Sequence, residues 1–192
     1  MSEALLNAMA RRASLDKMDC YSAKDGKVML SQIGVVHSPL TEKSRDIPFQ
    51  SFTSDLEGEI EVFKEFEEGL DGIEGFSHLF VIFYMHEWKK TKLRTIPLME
   101  EEERGIFGTR SPSRPNHLGC STVRLLSRDG RILKVKGLDI FDGTPVLDIK
   151  PYVPKVDLVK GVDNEWLIEK MEKIRSKNRK EIRKIQKHLR EE

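Results

Sequence analysis

Short apolar runs separated by turn residues dominate the middle of the chain. The first run, at 28–37, is rich in β-branched residues and ends at Ser38-Pro39, which is typical of a β-strand. Five similar runs predict further strands, at 59–63, 76–84, 121–126, 132–138 and 146–153. Asp129-Gly130 lies between two of these runs and predicts a hairpin turn.

Helical patterns inside this region are short. The stretches 63–70 and 99–103 have helical character, but neither is long enough for repeated βαβ units. Closely spaced short strands with Gly, Pro and Asp-Gly turns instead favour an antiparallel barrel or sandwich. The predicted fold class is therefore mainly β, in a single domain.

The two ends of the chain have a different character. Residues 2–12 predict a short helix rich in Ala and Leu, and we treat 1–27 as an N-terminal extension, partly helical or disordered. Residues 166–192 contain neither Gly nor Pro, which predicts a charged amphipathic C-terminal helix within 163–192. One interpretation is a solvated helix whose apolar stripe packs on the domain or on a partner. The alternative is a helix whose basic face contacts RNA. The β domain is expected at 28–160.

Composition excludes several classes of protein. Lys and Arg total 33 against 32 Asp and Glu, so the net charge does not indicate nucleic-acid binding, and only the local charge distribution can. The two cysteines, Cys20 and Cys120, form neither a disulfide framework nor a metal motif, which favours a reducing cytoplasm and predicts no metal. Because no long apolar run or secretion signal is present, we expect a soluble, cytoplasmic protein with no membrane partner.

The segment 105–119 concentrates the candidate chemistry. Pro112 and Pro115 restrict the backbone of this Gly-rich stretch, which predicts an ordered, non-helical polar loop. Arg110 and Arg114 offer planar guanidinium groups suited to a carboxylate or phosphate, and Asn116 offers both a donor and an acceptor. The alternative is a surface turn with two solvated arginines.

Five segments in a fixed order share their motifs with one family. They are the Gly-Val-Val-His-Ser-Pro stretch, a Pro-Phe-Gln loop, a Phe-Ser-His-Leu strand ending in His86, the Gly/Pro/Arg loop, and the closing Leu-Asp-Ile-Phe-Asp-Gly segment, at 33–39, 46–50, 69–86, 105–119 and 138–152. In these positions the chain resembles the TsaA/TrmO-like tRNA methyltransferases. The resemblance covers about 30–154 and leaves both ends of the chain without a counterpart.

This resemblance implies both a fold and an activity. The implied fold is a small single-domain β-barrel, usually a homodimer. The implied activity is S-adenosylmethionine-dependent methylation of N6 of threonylcarbamoyladenosine at position 37 of a tRNA. The sequence also lacks the Gly-x-Gly-x-x-Gly turn, which disfavours a methyltransferase of the doubly wound fold.

The resemblance also implies site residues. Arg110 is the first choice for a charged contact with the cofactor, and Asp139 or Asp142 could receive the ribose or the ammonium, although an Asp before Gly also commonly shapes a turn. Positions matching the cofactor site are Pro48, Phe49, Gln50, His86, Glu87, Arg110, Cys120, Asp139, Ile140, Phe141, Asp142 and Gly143. Arg114, Asn116 and Lys150 are candidate tRNA contacts.

Positioning alone should supply most of the acceleration of methyl transfer. If a base removes the N6 proton, His86 is the natural candidate for that catalytic role. A second hypothesis is a module that binds S-adenosylmethionine or a nucleotide and recruits a partner without catalysis. A hydrolase is disfavoured because no nucleophile-elbow motif occurs.

Overall fold

A computed structural model describes residues 27–44, 51, 54–97, 102–159 and 161. All elements below belong to one compact unit that begins at Ile33. Of the predicted N-terminal extension, only Lys27 is among the described residues, and the C-terminal helix expected within 163–192 lies outside them.

Six antiparallel strands close into a barrel in the order β1-β2-β7-β6-β3-β8. The barrel strands are β1 (Gly34–His37), β2 (Glu57–Val62), β3 (His78–Tyr84), β6 (Leu118–Asp129), β7 (Ile132–Lys136) and β8 (Pro145–Pro151). A separate two-stranded ribbon consists of β4 (Arg94–Thr95) and β5 (Arg104–Gly105). The helical elements are 3-10 turns at Lys64–Leu70, Ile73–Gly75 and Ile106–Gly108, and the short helix α1 (Pro154–Asp157). The predicted mainly β fold is confirmed, and the closed barrel excludes the sandwich alternative.

The boundaries of two predicted elements need correction. The first strand begins only at Gly34, and the preceding Val28, Met29 and Leu30 are exposed, so the apolar character of 28–33 does not mark a strand. The stretch predicted as helical at 63–70 is a 3-10 turn. The hairpin at Asp129-Gly130 is confirmed, because β6 ends at Asp129 and Gly130 has a φ of 56°.

Side chains that alternate along the strands fill the barrel. On β3, Leu79, Val81 and Phe83 point inward and are buried, while the residues between them are more exposed. The other strands add similar residues, chiefly Val36, Ile60, Val62, Val123, Leu133, Val135 and Val146. Full burial of each such aliphatic side chain contributes about 1.5–3 kcal/mol, so the barrel interior is the source of stability.

Antiparallel pairing gathers the connections into two groups. The connections 38–56, 85–117 and 137–144 converge at one end of the barrel, which we call the upper rim. The Asp142 N–H donates to Leu40 O, and Thr144 Oγ1 lies 3.4 Å from His86 Nδ1, so described residues of all three connections are linked. The connections 63–77 and 130–131 converge at the opposite end, the lower rim, where Arg128 donates to Leu70 O. Most of the predicted site residues therefore share the upper rim.

Gly119 lets β3 and β6 pair closely beneath the upper rim. It lies directly opposite Phe83 in the β3–β6 register. A Cβ atom at this position would lie closer than 3.0 Å to three carbons of the Phe83 ring. A larger residue would therefore push the ring out of the core or separate the strands.

We expect Gly119→Ala to lower the free energy of unfolding by about 1–3 kcal/mol, because the new methyl group overlaps a packed ring. Urea denaturation measures the change. Gly75→Ala is the matched control, since no heavy atom lies within 4 Å of the Cβ it would add. Equal stability of the two variants would show that the Phe83 ring moves aside without cost.

Candidate functional site at the upper rim

Asp139 is the carboxylate that lies deepest in the upper rim. Ser121 Oγ, on the inward face of β6, donates to Asp139 Oδ1 at 2.6 Å. The backbone amides of Ser51 and of Asp139 itself also donate to this carboxylate. Burial nevertheless raises the pKa of Asp139, and these hydrogen bonds and the charge of Arg110 offset the increase only in part. The carboxylate thus lacks a direct cationic partner among the described residues.

Arg110 lies in the loop before β6, and its charge reaches this carboxylate. Its side chain is exposed, and it makes no hydrogen bond or ion pair within the described part of the chain. Its charge acts on both Asp139 and Cys120. Arg110, Cys120 and Asp139 therefore lie close enough to interact electrostatically.

The charges of both Arg110 and Asp139 act on Cys120. Loss of solvent raises the pKa of its thiol, and Asp139 raises it further, while Arg110 opposes both effects. The thiol therefore stays protonated at neutral pH and is a weak nucleophile. Its contribution to a site is contact, not covalent chemistry.

His86 and Glu87 follow β3 at the same rim. His86 Nε2 lies 3.0 Å from Glu87 Oε1, and Thr144 Oγ1 lies 3.4 Å from His86 Nδ1. If Nε2 carries the proton it donates to Glu87, and Nδ1 is then the acceptor on the side of Thr144. The two contacts fix the orientation of the imidazole.

The segment 140–143 is anchored to the end of β1. Asp142 Oδ1 accepts the Ser38 N–H at 3.0 Å, and Gly143, with a φ of 73°, donates its N–H to Val36 O at 2.9 Å. Asp142 therefore shapes a turn, which is the role that an Asp before Gly commonly has. This contact uses only Oδ1 of its carboxylate. Ile140 is buried in the core, so only its backbone can contact a ligand. Phe141 is half-buried.

Arg114 organises the Gly/Pro loop from within. Its Nη1 donates to Thr109 O at 2.8 Å and to Ile106 O at 3.3 Å. Ser113 is buried and accepts a hydrogen bond from Trp88 Nε1 at 3.0 Å. The described contacts make this an ordered loop, as its prolines predicted, with Asn116 exposed on it.

The remaining candidates do not join this group in the structure. Lys150 lies near the far end of β8, about 17 Å along the strand from its start, and pairs with Asp148 Oδ2 at 2.7 Å. That ion pair raises the pKa of Lys150. Pro48, Phe49 and Gln50 lie outside the described residues.

Two hydroxyl residues of the rim were absent from the sequence prediction. Ser121 and Thr144 are both buried, and they contact Asp139 and His86 respectively. Ser121 could have been found as a single hydroxyl at an inward-facing position of a strand that is otherwise apolar inside. Thr144 carries no comparable local signal.

The described residues contain no group of three or more His, Cys, Asp or Glu side chains arranged to hold a metal ion. Within that same part of the chain, no helix has the length and apolar character needed to cross a membrane. The absence of a metal stays a prediction.

Known proteins share both the sequence and the fold. Residues 35–158 match the model of the tRNA-methyltransferase O N-terminal domain. An S-adenosyl-L-methionine-binding protein of Archaeoglobus fulgidus is 44% identical over 138 residues, which cover 72% of this chain and 99% of that protein. The tRNA (adenine(37)-N6)-methyltransferase of Escherichia coli is 39% identical over 135 residues, 64% of this chain and 57% of that enzyme.

A solved structure agrees with these sequence matches. The crystal structure of TrmO from Pseudomonas aeruginosa superposes with a TM-score of 0.60 at 36% identity, over 72% of this chain and 62% of that chain. The bacterial proteins therefore extend beyond the shared region. With a matching domain model over 35–158, a close relative covered almost completely and the same barrel, this chain belongs to the tRNA-methyltransferase O family.

Proposed function

We propose that this protein transfers a methyl group from S-adenosylmethionine to N6 of threonylcarbamoyladenosine at position 37 of a tRNA. Family membership and the names of the relatives support the reaction. The structural observation that carries the proposal is a guanidinium that has no hydrogen bond or ion pair among the described residues, Arg110, within electrostatic reach of a partly buried carboxylate, Asp139. The amino-acid end of the cofactor presents the complementary ammonium and carboxylate.

The other residues of the rim fit the rest of the cofactor. The cofactor supplies a methyl group already activated on its sulfonium. We assign the α-carboxylate of the cofactor to Arg110 and its ammonium to Asp139. Neither the guanidinium of Arg110 nor the carboxylate of Asp139 has an oppositely charged partner in direct contact among the described residues. The free oxygen of Asp142 and the backbone of Gly143 suit the ribose hydroxyls, and the half-buried ring of Phe141 suits the adenine.

Further contacts complete this assignment. Cys120, whose thiol is within electrostatic reach of Asp139, and the backbone of Ile140, the next residue after Asp139, are further proposed contacts. Pro48, Phe49 and Gln50 remain proposed contacts to the adenine or methionine end. The opposed charges and the flat apolar ring are the features that such a zwitterionic nucleoside requires.

Methyl transfer breaks the bond between the sulfonium sulfur and the methyl carbon, so that the demethylated thioether is the leaving group. On the acceptor an N6–C bond takes the place of the N6–H bond, and a proton is released. Alignment of the acceptor nitrogen with the reacting carbon supplies most of the acceleration. We propose that His86 accepts the released proton at Nδ1, since Glu87 and Thr144 hold its ring in one orientation.

Local charge favours an approach of tRNA from one side of the upper rim. The 85–117 connection contains seven Lys or Arg against five Glu. The 63–77 connection at the lower rim has the opposite balance, one Lys against five Asp or Glu. A polyanion is attracted to the first and repelled by the second. Arg114 and Asn116 lie on the favoured side, whereas a contact by Lys150 requires the tRNA to extend down β8.

We also propose a cytoplasmic homodimer. The assembly follows the usual state of the family that the sequence resembles, and the location follows from the use of cysteine.

The reaction is tested with radiolabelled S-adenosylmethionine and two tRNA preparations, one carrying and one lacking the threonylcarbamoyl group. We expect label in the modified tRNA alone, because the proposed acceptor is the modified adenosine. Cofactor binding without label in either tRNA would favour the non-catalytic sensor module and contradict the proposal.

We expect Arg110→Ala to weaken cofactor binding by about 10- to 100-fold, because a charge-assisted hydrogen bond is lost. Isothermal titration calorimetry measures the dissociation constant. The melting temperature should not change, since Arg110 has no described partner. Arg124→Ala, an exposed arginine on β6, is the control and should bind normally. Equal affinity of the two variants would contradict the assignment of Arg110.

Protonation of Asp139 should have opposite effects on binding and on stability. Because its folded-state pKa is raised, its contribution to folding stability is complete below the unfolded-state pKa, about 3.9, and is lost as the pH rises through the folded-state pKa. Binding of the ammonium requires the carboxylate. Cofactor affinity should therefore fall as the pH is lowered towards and through the pKa of Asp139.

Calorimetric titrations from neutral pH downward measure this dependence. We expect Asp139→Asn to bind about 10-fold or more weakly and to lose the pH dependence in this range. Asp71→Asn, which changes an exposed aspartate of the lower rim, should retain both the affinity and its pH dependence. If the cofactor affinity of Asp139→Asn depends on pH as that of the unsubstituted protein does, a group other than Asp139 causes the pH dependence.

A further inference from the structure

Phe107 is the most exposed aromatic residue among those described. Its side chain lies in the 3-10 turn Ile106–Gly108, and 76% of the residue's surface is accessible to solvent. The cofactor contacts proposed above do not use it. A single exposed apolar residue is not by itself a binding site, so a role for this ring depends on how it is held and on what surrounds it.

The ring is nevertheless held in an ordered position. Ile106 is buried, and its N–H donates to Leu93 O at 2.9 Å, which ties the turn to the neighbouring segment. The Arg114 guanidinium lies over the ring, with Cζ 5.9 Å from the ring centroid, and is itself held by the carbonyls of Ile106 and Thr109. One face of the ring is thus supported, and the other is presented to solvent.

The surroundings of Phe107 are basic. Lys89, Lys90 and Lys92 lie on the segment that packs beside the turn, which Lys92 joins to the loop through its N–H to Ser113 O at 3.0 Å. No carboxylate among the described residues pairs with Lys90 or Lys92. A protein partner would need an apolar patch of several residues, whereas one ring among free ammonium groups suits a nucleobase and its phosphates.

We infer that Phe107, supported by Arg114, is a stacking platform for an unpaired base of the anticodon loop next to the target adenosine. The inference rests on the proposed function and adds a residue that selects and orients the RNA. Arg110 follows Phe107 by three residues, which places their Cα atoms within about 10 Å. A base stacked on Phe107 would therefore hold its neighbour near the proposed cofactor site. Base stacking on aromatic side chains is a common mode of single-strand recognition.

The test uses an anticodon stem-loop RNA that carries threonylcarbamoyladenosine, with 2-aminopurine on one or the other side of it in two separate RNAs. We expect Phe107→Ala to raise the RNA dissociation constant about 5- to 100-fold, the usual effect of losing one stacked base. Quenching of one 2-aminopurine on binding should be lost in the same variant. Phe107→Trp should retain both the affinity and the quenching.

Two controls separate stacking from misfolding and from a loss of apolar surface. Cofactor affinity should not change in Phe107→Ala, because the residue lies outside the proposed cofactor contacts. Phe76→Ala removes an aromatic ring that is 38% exposed at the acidic lower rim and should bind RNA as the unsubstituted protein does.

Three results would overturn the inference. If the unsubstituted protein methylates the RNA and Phe107→Ala binds it equally well, the stacking role alone is wrong. If the unsubstituted protein neither binds nor methylates the RNA, the proposed function fails as well. If Phe107→Ala changes the oligomeric state measured by sedimentation but not the RNA affinity, the ring instead belongs to an interface between two copies of the chain.

Discussion

The barrel closes through a short antiparallel seam between β1 and β8. Only Gly34 and Val35 pair in register with β8, opposite Val146 and Pro145, and hydrogen bonds from Ile33 to Val146 and from Val36 to Thr144 extend the seam. A Cβ atom on Gly34 would overlap the carbonyl oxygen of Glu61 on β2. The seam therefore tolerates little change in backbone spacing. The carbonyl of Thr144 belongs to the seam, and its Oγ1 contacts His86 Nδ1 at the upper rim. Closure of the barrel therefore helps to position His86.

The partial burial of Asp139 works against stability. A buried carboxylate without a cationic partner favours its protonated form, and the hydrogen bond from Ser121 compensates for only part of the lost hydration. A neutral residue would suit the ligand-free barrel better. A carboxylate is retained at low cost only if a cation completes the site, which is the property that the proposed cofactor supplies.

Local chemistry explains which parts of the fold were predictable. Asp129-Gly130 encodes its turn within two residues, and β3 shows its alternation directly, so both were found from sequence. The choice between barrel and sandwich depends on the pairing of β1 with β8, residues more than a hundred positions apart, and could not be found. The apolar character of Val28–Leu30 predicts a strand, because a hydrophobic pattern does not show whether another strand is available to pair with it.

The same distinction applies to the site. The motifs predict Arg110 and Asp139, whereas Thr144 contacts a partner 58 residues away in sequence and carries no local signal. Ser121 contacts Asp139, 18 residues away, and only its position as a hydroxyl on the inward face of β6 indicates a role. Asp142 was found for a ligand role, yet its contact to Ser38 identifies it also as part of a turn.

Charge segregation explains how a chain with almost no net charge can select a polyanion. The screening length at physiological ionic strength is about 8 Å, so a ligand responds to the nearest connection and not to the whole chain. The basic 85–117 connection and the acidic 63–77 connection lie at opposite rims, and they act on an approaching RNA separately. Because the first also carries Arg110 and Phe107, the attraction of the phosphates and the recognition of the base occur on the same loop, and the orientation of the RNA is set before the reacting nitrogen reaches the site.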